Sequence, residues 1–181
     1  MIEQELAQAD TGLPVGLERG QHVLRQRHTP WPRRVAITLL AAFAGLGIAN
    51  VFGQVAKVTT VDATPASLTV DSPEHLRGGL IYTAVFTVVA HRPLQDARLH
   101  LDTGWFSGVT FNGSAPQAQS EVSDADGVLF DYGQLDAGVD MPIWISYQMN
   151  PTTIGARDQD VSLYDGTTLI ATVHRRAVVF P

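Results

Sequence analysis

The most prominent hydrophobic pattern in the chain is a run of 22 uncharged residues between Arg34 and Lys57. Drawn as a helix, the run is apolar on every face, whereas a surface helix of a soluble protein keeps one polar face. At 1.5 Å per residue it would extend about 33 Å, enough to cross the hydrocarbon core of a bilayer. The sequence therefore predicts a transmembrane helix over residues 35–56, after a largely flexible tail over residues 1–34.

The residues that flank this run indicate its orientation. Four arginines and a tryptophan precede it: Arg25, Arg27, Trp31, Arg33 and Arg34. After it, only Lys57 comes before the first acidic residue. The positive-inside rule then places the N-terminus in the cytoplasm and the rest of the chain outside, as a single-pass protein of the cell membrane in contact with the lipid bilayer. A cleaved signal peptide and a buried soluble helix are the alternatives.

Small residues recur every fourth position within the run, at Ala41, Gly45, Ala49 and Gly53. On one continuous helix this spacing makes a stripe along which another helix backbone can approach closely. The stripe predicts self-association or contact with another membrane protein. Chance is the alternative explanation, because alanine and glycine are common in membrane helices.

After Val58 the hydrophobic period changes from helical to two, which is typical of strands. Residues 80–90 and 143–149 are the longest such runs, and Asp165-Gly166 marks a hairpin turn between two others. Seven to nine strands with no convincing helix predict an all-β antiparallel sandwich over residues 57–181.

Two stretches within this region, YTAVFTVVAHRPLQDARLHLDTGWFSGVTFNG and VLFDYGQLDAGVDMPIWISYQMNPTTIG, carry a family likeness. Together with the turn from Gly133 to Gly138, they resemble the immunoglobulin-like modules of bacterial surface proteins, including the CARDB-like adhesion-related group. The resemblance covers about residues 80–181. It implies an immunoglobulin-like sandwich in an extracytoplasmic setting, and it carries over no catalytic or binding residue.

Charge narrows the possible functions. The chain has a net charge of −6, and the part after Lys57 carries six arginines against fourteen carboxylates. An acidic domain repels nucleic acid phosphates, so we expect no nucleic-acid partner. The absence of cysteine excludes disulfides, thiolate nucleophiles and cysteine metal sites.

Among the polar residues, His100 and Asp102 have the alternate spacing that places two metal ligands on one strand face. A site would need a third ligand, for which His91 and His174 are candidates. A solvated polar sheet face explains the same spacing. The acidic loop over residues 121–127 resembles a calcium loop only in part, and an Asp-Gly turn accounts for it.

Catalytic motifs are missing from the sequence: it contains no G-x-S-x-G elbow and no phosphate-binding glycine loop. We therefore expect no enzyme activity and no cofactor. Trp105 and Phe106, between Gly104 and Gly108, are candidates for contact with a partner. Alternatively, they plug one end of the sandwich.

These observations together predict a membrane-anchored, extracytoplasmic immunoglobulin-like accessory or interaction protein, a non-catalytic component of a bacterial envelope assembly. The alternative is an envelope metal- or ligand-binding protein that uses the strand face of His100 and Asp102.

Overall fold

The computed structural model describes residues 30–51 and 53–181. The chain divides into two compact units after Val51. Most of the tail predicted to be flexible lies outside the described residues. The described residues of the first unit, 30–51, form one helix, and the second unit contains every strand described below.

The helix, α1, spans Pro30–Ile48 and is long and apolar enough to cross a membrane. The prediction of a helix over residues 35–56 was wrong at both ends. The start lies earlier because proline suits the first turn of a helix, where its missing N–H has no partner to lose. The uncharged part of the helix covers residues 35–48, about 21 Å at 1.5 Å per residue, instead of the expected 33 Å.

The helix ends in a Schellman turn. Asn50 has a φ of 54°, the left-handed conformation that asparagine tolerates better than most residues. The amide of Val51 donates to the carbonyl of Leu46 at 3.2 Å, and the amide of Asn50 donates to that of Gly47 at 3.1 Å. The turn therefore satisfies carbonyl groups that the helix end would leave without partners.

This ending changes the small-residue stripe. Ala41 and Gly45 lie within α1, but Ala49 lies in the turn and Gly53 lies beyond it. The spacing of the four residues predicted that they share one helix face, but in the structure they do not. Ala41 and Gly45 are the two that remain within the helix.

The described residues after the helix form thirteen strands and one 3-10 turn. The strands are β1 (Ala56–Asp62), β2 (Ala66–Pro73), β3 (His75–Arg77), β4 (Ile81–Ala90), β5 (Leu94–Asp102), β6 (Val109–Ala115), β7 (Ser120–Ser123), β8 (Gly127–Leu135), β9 (Asp140–Met149), β10 (Gly155–Asp158), β11 (Val161–Asp165), β12 (Thr168–Val173) and β13 (Arg176–Phe180). The 3-10 turn is Thr103–Trp105.

Two five-stranded antiparallel sheets contain most of these strands. The first sheet has the order β1-β2-β4-β9-β6, and the second has the order β12-β11-β5-β8-β7. A small third sheet, β10-β13-β3, includes one parallel pair between β13 and β3. The predicted all-β antiparallel sandwich, preceded by one helix, is confirmed. The strand count exceeds seven to nine because short pieces such as β3, β7 and β10 also pair.

The core lies between the two five-stranded sheets and follows the alternation within each strand. In β9, Ile143, Ile145, Tyr147 and Met149 are fully buried, while the residues between them are at least partly exposed. Inward residues of β2, β4 and β5 complete the same cluster. The period of two in the sequence therefore corresponds to one buried and one outward face for each sheet.

Candidate interaction surfaces

Trp105 lies in the core. It is fully buried, and its ring centroid lies 5.1 Å from that of Phe86 and 5.8 Å from that of Tyr147. Its indole Nε1 donates to the backbone oxygen of Asp160 at 3.2 Å. The interpretation of Trp105 as a partner contact was wrong, because the 3-10 turn directs the indole between the sheets.

Phe106 is partly buried and packs against the same core. Its ring centroid lies 6.2 Å from Tyr147, 6.5 Å from Phe111 and 6.5 Å from Phe130. These distances are within the range for aromatic pairs. Phe106 therefore packs into one end of the sandwich, as the alternative interpretation of this loop predicted.

Arg175 lies over the Trp105 indole. Its guanidinium carbon lies 5.2 Å from the ring centroid, and Nη2 donates to the carbonyls of Ser72 at 2.9 Å and Pro73 at 3.2 Å. Burial lowers the pKa of Arg175, and nearby Glu74 opposes that shift. The sequence analysis missed this residue, because a single arginine beside a strand resembles any surface arginine.

Asp102 stabilises the 3-10 turn. Its Oδ1 accepts a hydrogen bond from the amide of Gly104 at 3.0 Å, and its Oδ2 accepts one from the amide of Asp160 at 2.8 Å. Burial raises the pKa of Asp102, and these backbone hydrogen bonds oppose the shift. Asp102 therefore stabilises its own turn through Oδ1 and ties this turn through Oδ2 to a segment 58 residues away.

The structure does not bring the candidate metal ligands together. His91 contacts Asp62 at 2.9 Å, and His174 contacts Asp160 at 2.7 Å, so each proposed third ligand pairs elsewhere. Within residues 30–51 and 53–181, no group of three histidine or carboxylate side chains is placed to hold a metal ion.

His100 itself lines a shallow groove of about 350 Å³ on the outward side of the second sheet, with Arg98, Tyr164, Asp124 and Asp126 among its neighbours. The charge of Arg98 is balanced within the protein, since its guanidinium lies 2.5 Å from a carboxylate oxygen of Asp96 and 3.3 Å from one of Asp131. The groove therefore offers an imidazole, a phenol and carboxylates to a small polar ligand.

Asp124 forms a turn at one end of this groove. Its Oδ1 accepts hydrogen bonds from the amides of Asp126 at 2.8 Å and Gly127 at 2.9 Å. This arrangement is an Asx turn leading into β8. It matches the Asp-Gly turn that the sequence analysis considered beside a calcium loop.

The outward side of the first sheet carries exposed apolar side chains. Trp144 is 46% exposed, Ile81 62% and Val58 60%. The strand register aligns a row across all five strands, from Val58 through Asp71, Val85 and Trp144 to Ala115. We call this surface the outer face. It consists of the outward residues of the five strands: Val58, Thr60, Asp62, Ser67, Thr69, Asp71, Ile81, Thr83, Val85, Thr87, Val89, Thr110, Gly113, Ala115, Asp140, Pro142, Trp144, Ser146 and Gln148.

The sequence contained a signal for this surface. Trp144 stands between Ile143 and Ile145, so a strand that buries both isoleucines must turn the tryptophan outward. The alternation that predicts the strand therefore also predicts which large side chain the strand exposes.

Comparison with known proteins adds little to this description. No family model matches the sequence, and no curated protein matches it. Among solved structures, a FixG-related protein from Vibrio parahaemolyticus is 17% identical, with a TM-score of 0.37 over 67% of this chain and 100% of that one. The third cohesin ScaC of Acetivibrio cellulolyticus, solved in complex with the ScaB dockerin, is 12% identical, with a TM-score of 0.38 over 58% of this chain and 92% of that one. Similarity at this level carries no functional conclusion.

Proposed function

We propose that the chain is a single-pass membrane protein whose β-sandwich lies on the extracytoplasmic side and acts as a non-catalytic accessory or interaction module of a bacterial envelope assembly. The observation that carries this proposal is α1. Its described side chains from Trp31 to Ile48 are all exposed, which leaves an apolar surface around the helix that needs a non-aqueous environment.

The proposed orientation rests on charge. Arg33 and Arg34 stand in the first turns of α1, and the acidic sandwich follows the other end. Arginine side chains near a helix end can extend to the headgroups, which suits a helix with a short uncharged part. The arginine end then stays in the cytoplasm and the sandwich lies outside.

The mechanism we propose is positional. The helix retains the sandwich at the membrane, and a surface of the sandwich contacts the partner. A second copy or another membrane protein is also proposed to pack against α1 at Ala41 and Gly45, where small side chains allow close approach.

Membrane fractionation tests the anchor. The full chain should stay in the pellet after alkaline carbonate extraction, and protease added to spheroplasts should digest the sandwich. Leu40→Arg, in the middle of α1, should impair insertion, because arginine at a helix centre costs about 3 kcal/mol. Leu169→Arg is the matched control, since Leu169 is an exposed leucine of β12 outside the helix.

The fractionation also distinguishes a membrane anchor from a cleaved signal peptide. Release of a shortened chain, with a new N-terminus after α1, would show that a peptidase removes the helix. Full extraction of the intact chain by carbonate would contradict membrane insertion altogether.

The groove at His100 favours a second candidate, an envelope metal- or ligand-binding protein. The His100 imidazole lines this groove of about 350 Å³, beside Tyr164 and the carboxylates of Asp124 and Asp126. Elemental analysis of the purified full chain tests the metal form of this candidate. Stoichiometric metal that disappears in His100→Ala would support it over the scaffold proposal, with Thr172→Ala, on the edge strand β12 of the same sheet, as the control.

A further inference from the structure

The outer face is large enough for a specific contact. Five strands about 4.8 Å apart give a width of about 19 Å, and the eight steps from Ile81 to Val89 along β4 give a length of about 27 Å. The resulting area of about 500 Å² is typical of one side of a small, transient protein interface. Obligate dimers bury several times more, so this area does not suit a permanent second copy.

Its composition resembles an interface centre surrounded by polar residues. Trp144 and Val85 are cross-strand partners in the middle of the face, and hydroxyl residues flank them. Two of these, Thr60 and Thr69, already bond to each other at 2.9 Å. A tryptophan that is 46% exposed on a flat sheet is the kind of side chain that contributes most to binding when a partner covers it.

The charges of the face indicate what covers it. None of its residues is lysine or arginine, whereas Asp62, Asp71 and Asp140 stand at outward positions. Asp62, which contacts His91, and Asp140 belong to one register row at the same end of the face, whereas Asp71 lies in the central row beside Val85. Two copies packed face to face would bring the aspartates of both faces into one interface with no lysine or arginine to balance them, which disfavours self-association.

We infer that the outer face binds a different protein, one whose surface has an apolar centre and lysine or arginine at its edge. This inference rests on the proposed function, and it names the surface and the chemistry of the partner. Trp144 and Val85 supply the apolar contact, Asp140 at one end of the face selects the basic edge of the partner, and Asp71 adds a negative charge beside Val85.

Site-specific photo-crosslinking of the full chain in its own membrane tests the inference. Benzoylphenylalanine at Thr83 or Thr87, on either side of the Trp144–Val85 pair, should give one discrete product with a different protein. The crosslinked peptide should be rich in lysine or arginine. Trp144→Ala, and independently Asp140→Lys, should lower the yield about tenfold, as loss of a central contact does. Benzoylphenylalanine at Ser162, in the second sheet, is the control and should give no such product.

Several outcomes would overturn the inference. These are a product of twice the chain's mass, an internal product with the N-terminal tail, or a yield that Trp144→Ala leaves unchanged. An acidic partner peptide, no product, or equal yield from Ser162 would also overturn it. Circular dichroism on the Trp144→Ala chain checks that the fold is retained. Failure of the anchor proposal is distinguishable, because the chain would then be released from the membrane pellet. If only this inference fails, the chain stays in the pellet.

Discussion

Trp105→Ala distinguishes a structural tryptophan from a binding one. The structure places Trp105 between the two sheets, fully buried, with Phe86, Tyr147 and the guanidinium of Arg175 close to its ring. Removing the indole would leave a cavity in the core and a buried guanidinium without its aromatic contact. We therefore expect a large loss of stability.

The size of this loss can be estimated from the burial. A tryptophan side chain removes about 150–250 Å² from water, which at about 25 cal/mol per Å² corresponds to about 4–6 kcal/mol. Core tryptophan-to-alanine changes cost about 3–5 kcal/mol in practice. A domain of ordinary stability has only about 5–15 kcal/mol in total, so Trp105→Ala should remove at least about a fifth of it and, in a domain at the lower end of that range, unfold the sandwich.

Equilibrium unfolding of the full chain in detergent micelles, followed by far-UV circular dichroism in guanidinium chloride, measures the effect. Trp144→Ala is the matched control, because it removes the same side chain from the outer face, where it is 46% exposed, and by the same area estimate it should cost only about half as much. Equal effects of the two substitutions, or a Trp105→Ala chain as stable as the parent, would refute the assignment of Trp105 to the core.

Three further predictions concern the same end of the sandwich. Gly104→Ala should cost about 2 kcal/mol or more, because a Cβ at Gly104 would overlap the carbonyl oxygen of Asp158; a thermal midpoint within about 1 °C of the parent would contradict this. Asp102→Asn should lower the free energy of unfolding by about 2 kcal/mol in chemical denaturation, since an amide NH₂ replaces one of two oxygens that accept backbone hydrogen bonds. An unchanged free energy of unfolding would show that these hydrogen bonds contribute little. Burial raises the pKa of Tyr82 to about 12. The unfolded chain therefore loses this proton near pH 10 while the folded chain keeps it, so stability falls between about pH 10 and 12, by roughly 3 kcal/mol from this residue at most. Tyr82→Phe should reduce that slope in alkaline denaturation, and an unchanged slope would show that Tyr82 is not the source.

The boundaries of α1 show that local hydrophobicity predicts the presence of the helix but not where it ends. The uncharged run predicted a helix, but the run continues to Ala56 while the helix ends at Ile48. The asparagine at position 50 was a usable signal, because a left-handed residue followed by an apolar one is typical of a helix C-terminus. Hydrophobicity alone does not separate helical residues from the uncharged linker that follows them.

The two tryptophans of the sandwich, Trp144 and Trp105, show where hydrophobic alternation predicts the direction of a side chain and where it does not. The alternation around Trp144 was sufficient to predict that it points outward. Around Trp105 the glycines break any period, so the sequence left open whether the indole faces a partner or the core. The contact of Arg175 with Trp105 and the hydrogen bond of Asp102 to the Asp160 amide depend on residues 55 or more positions apart, which no local pattern relates.

By itself, then, the sequence determined an apolar helix, a change of period after Val58 and an antiparallel β-sandwich, because hydrophobic periodicity is a local property of helices and strands. The tertiary structure alone decided that Trp105 is core and that Asp102 is committed to backbone amides. It also decided that the outward side chains of β4 and β9 combine with those of three other strands into one acidic-edged apolar face. The physical reason is that strand register and the packing of the two sheets bring distant segments together, and burial and charge at a site are set by those neighbours.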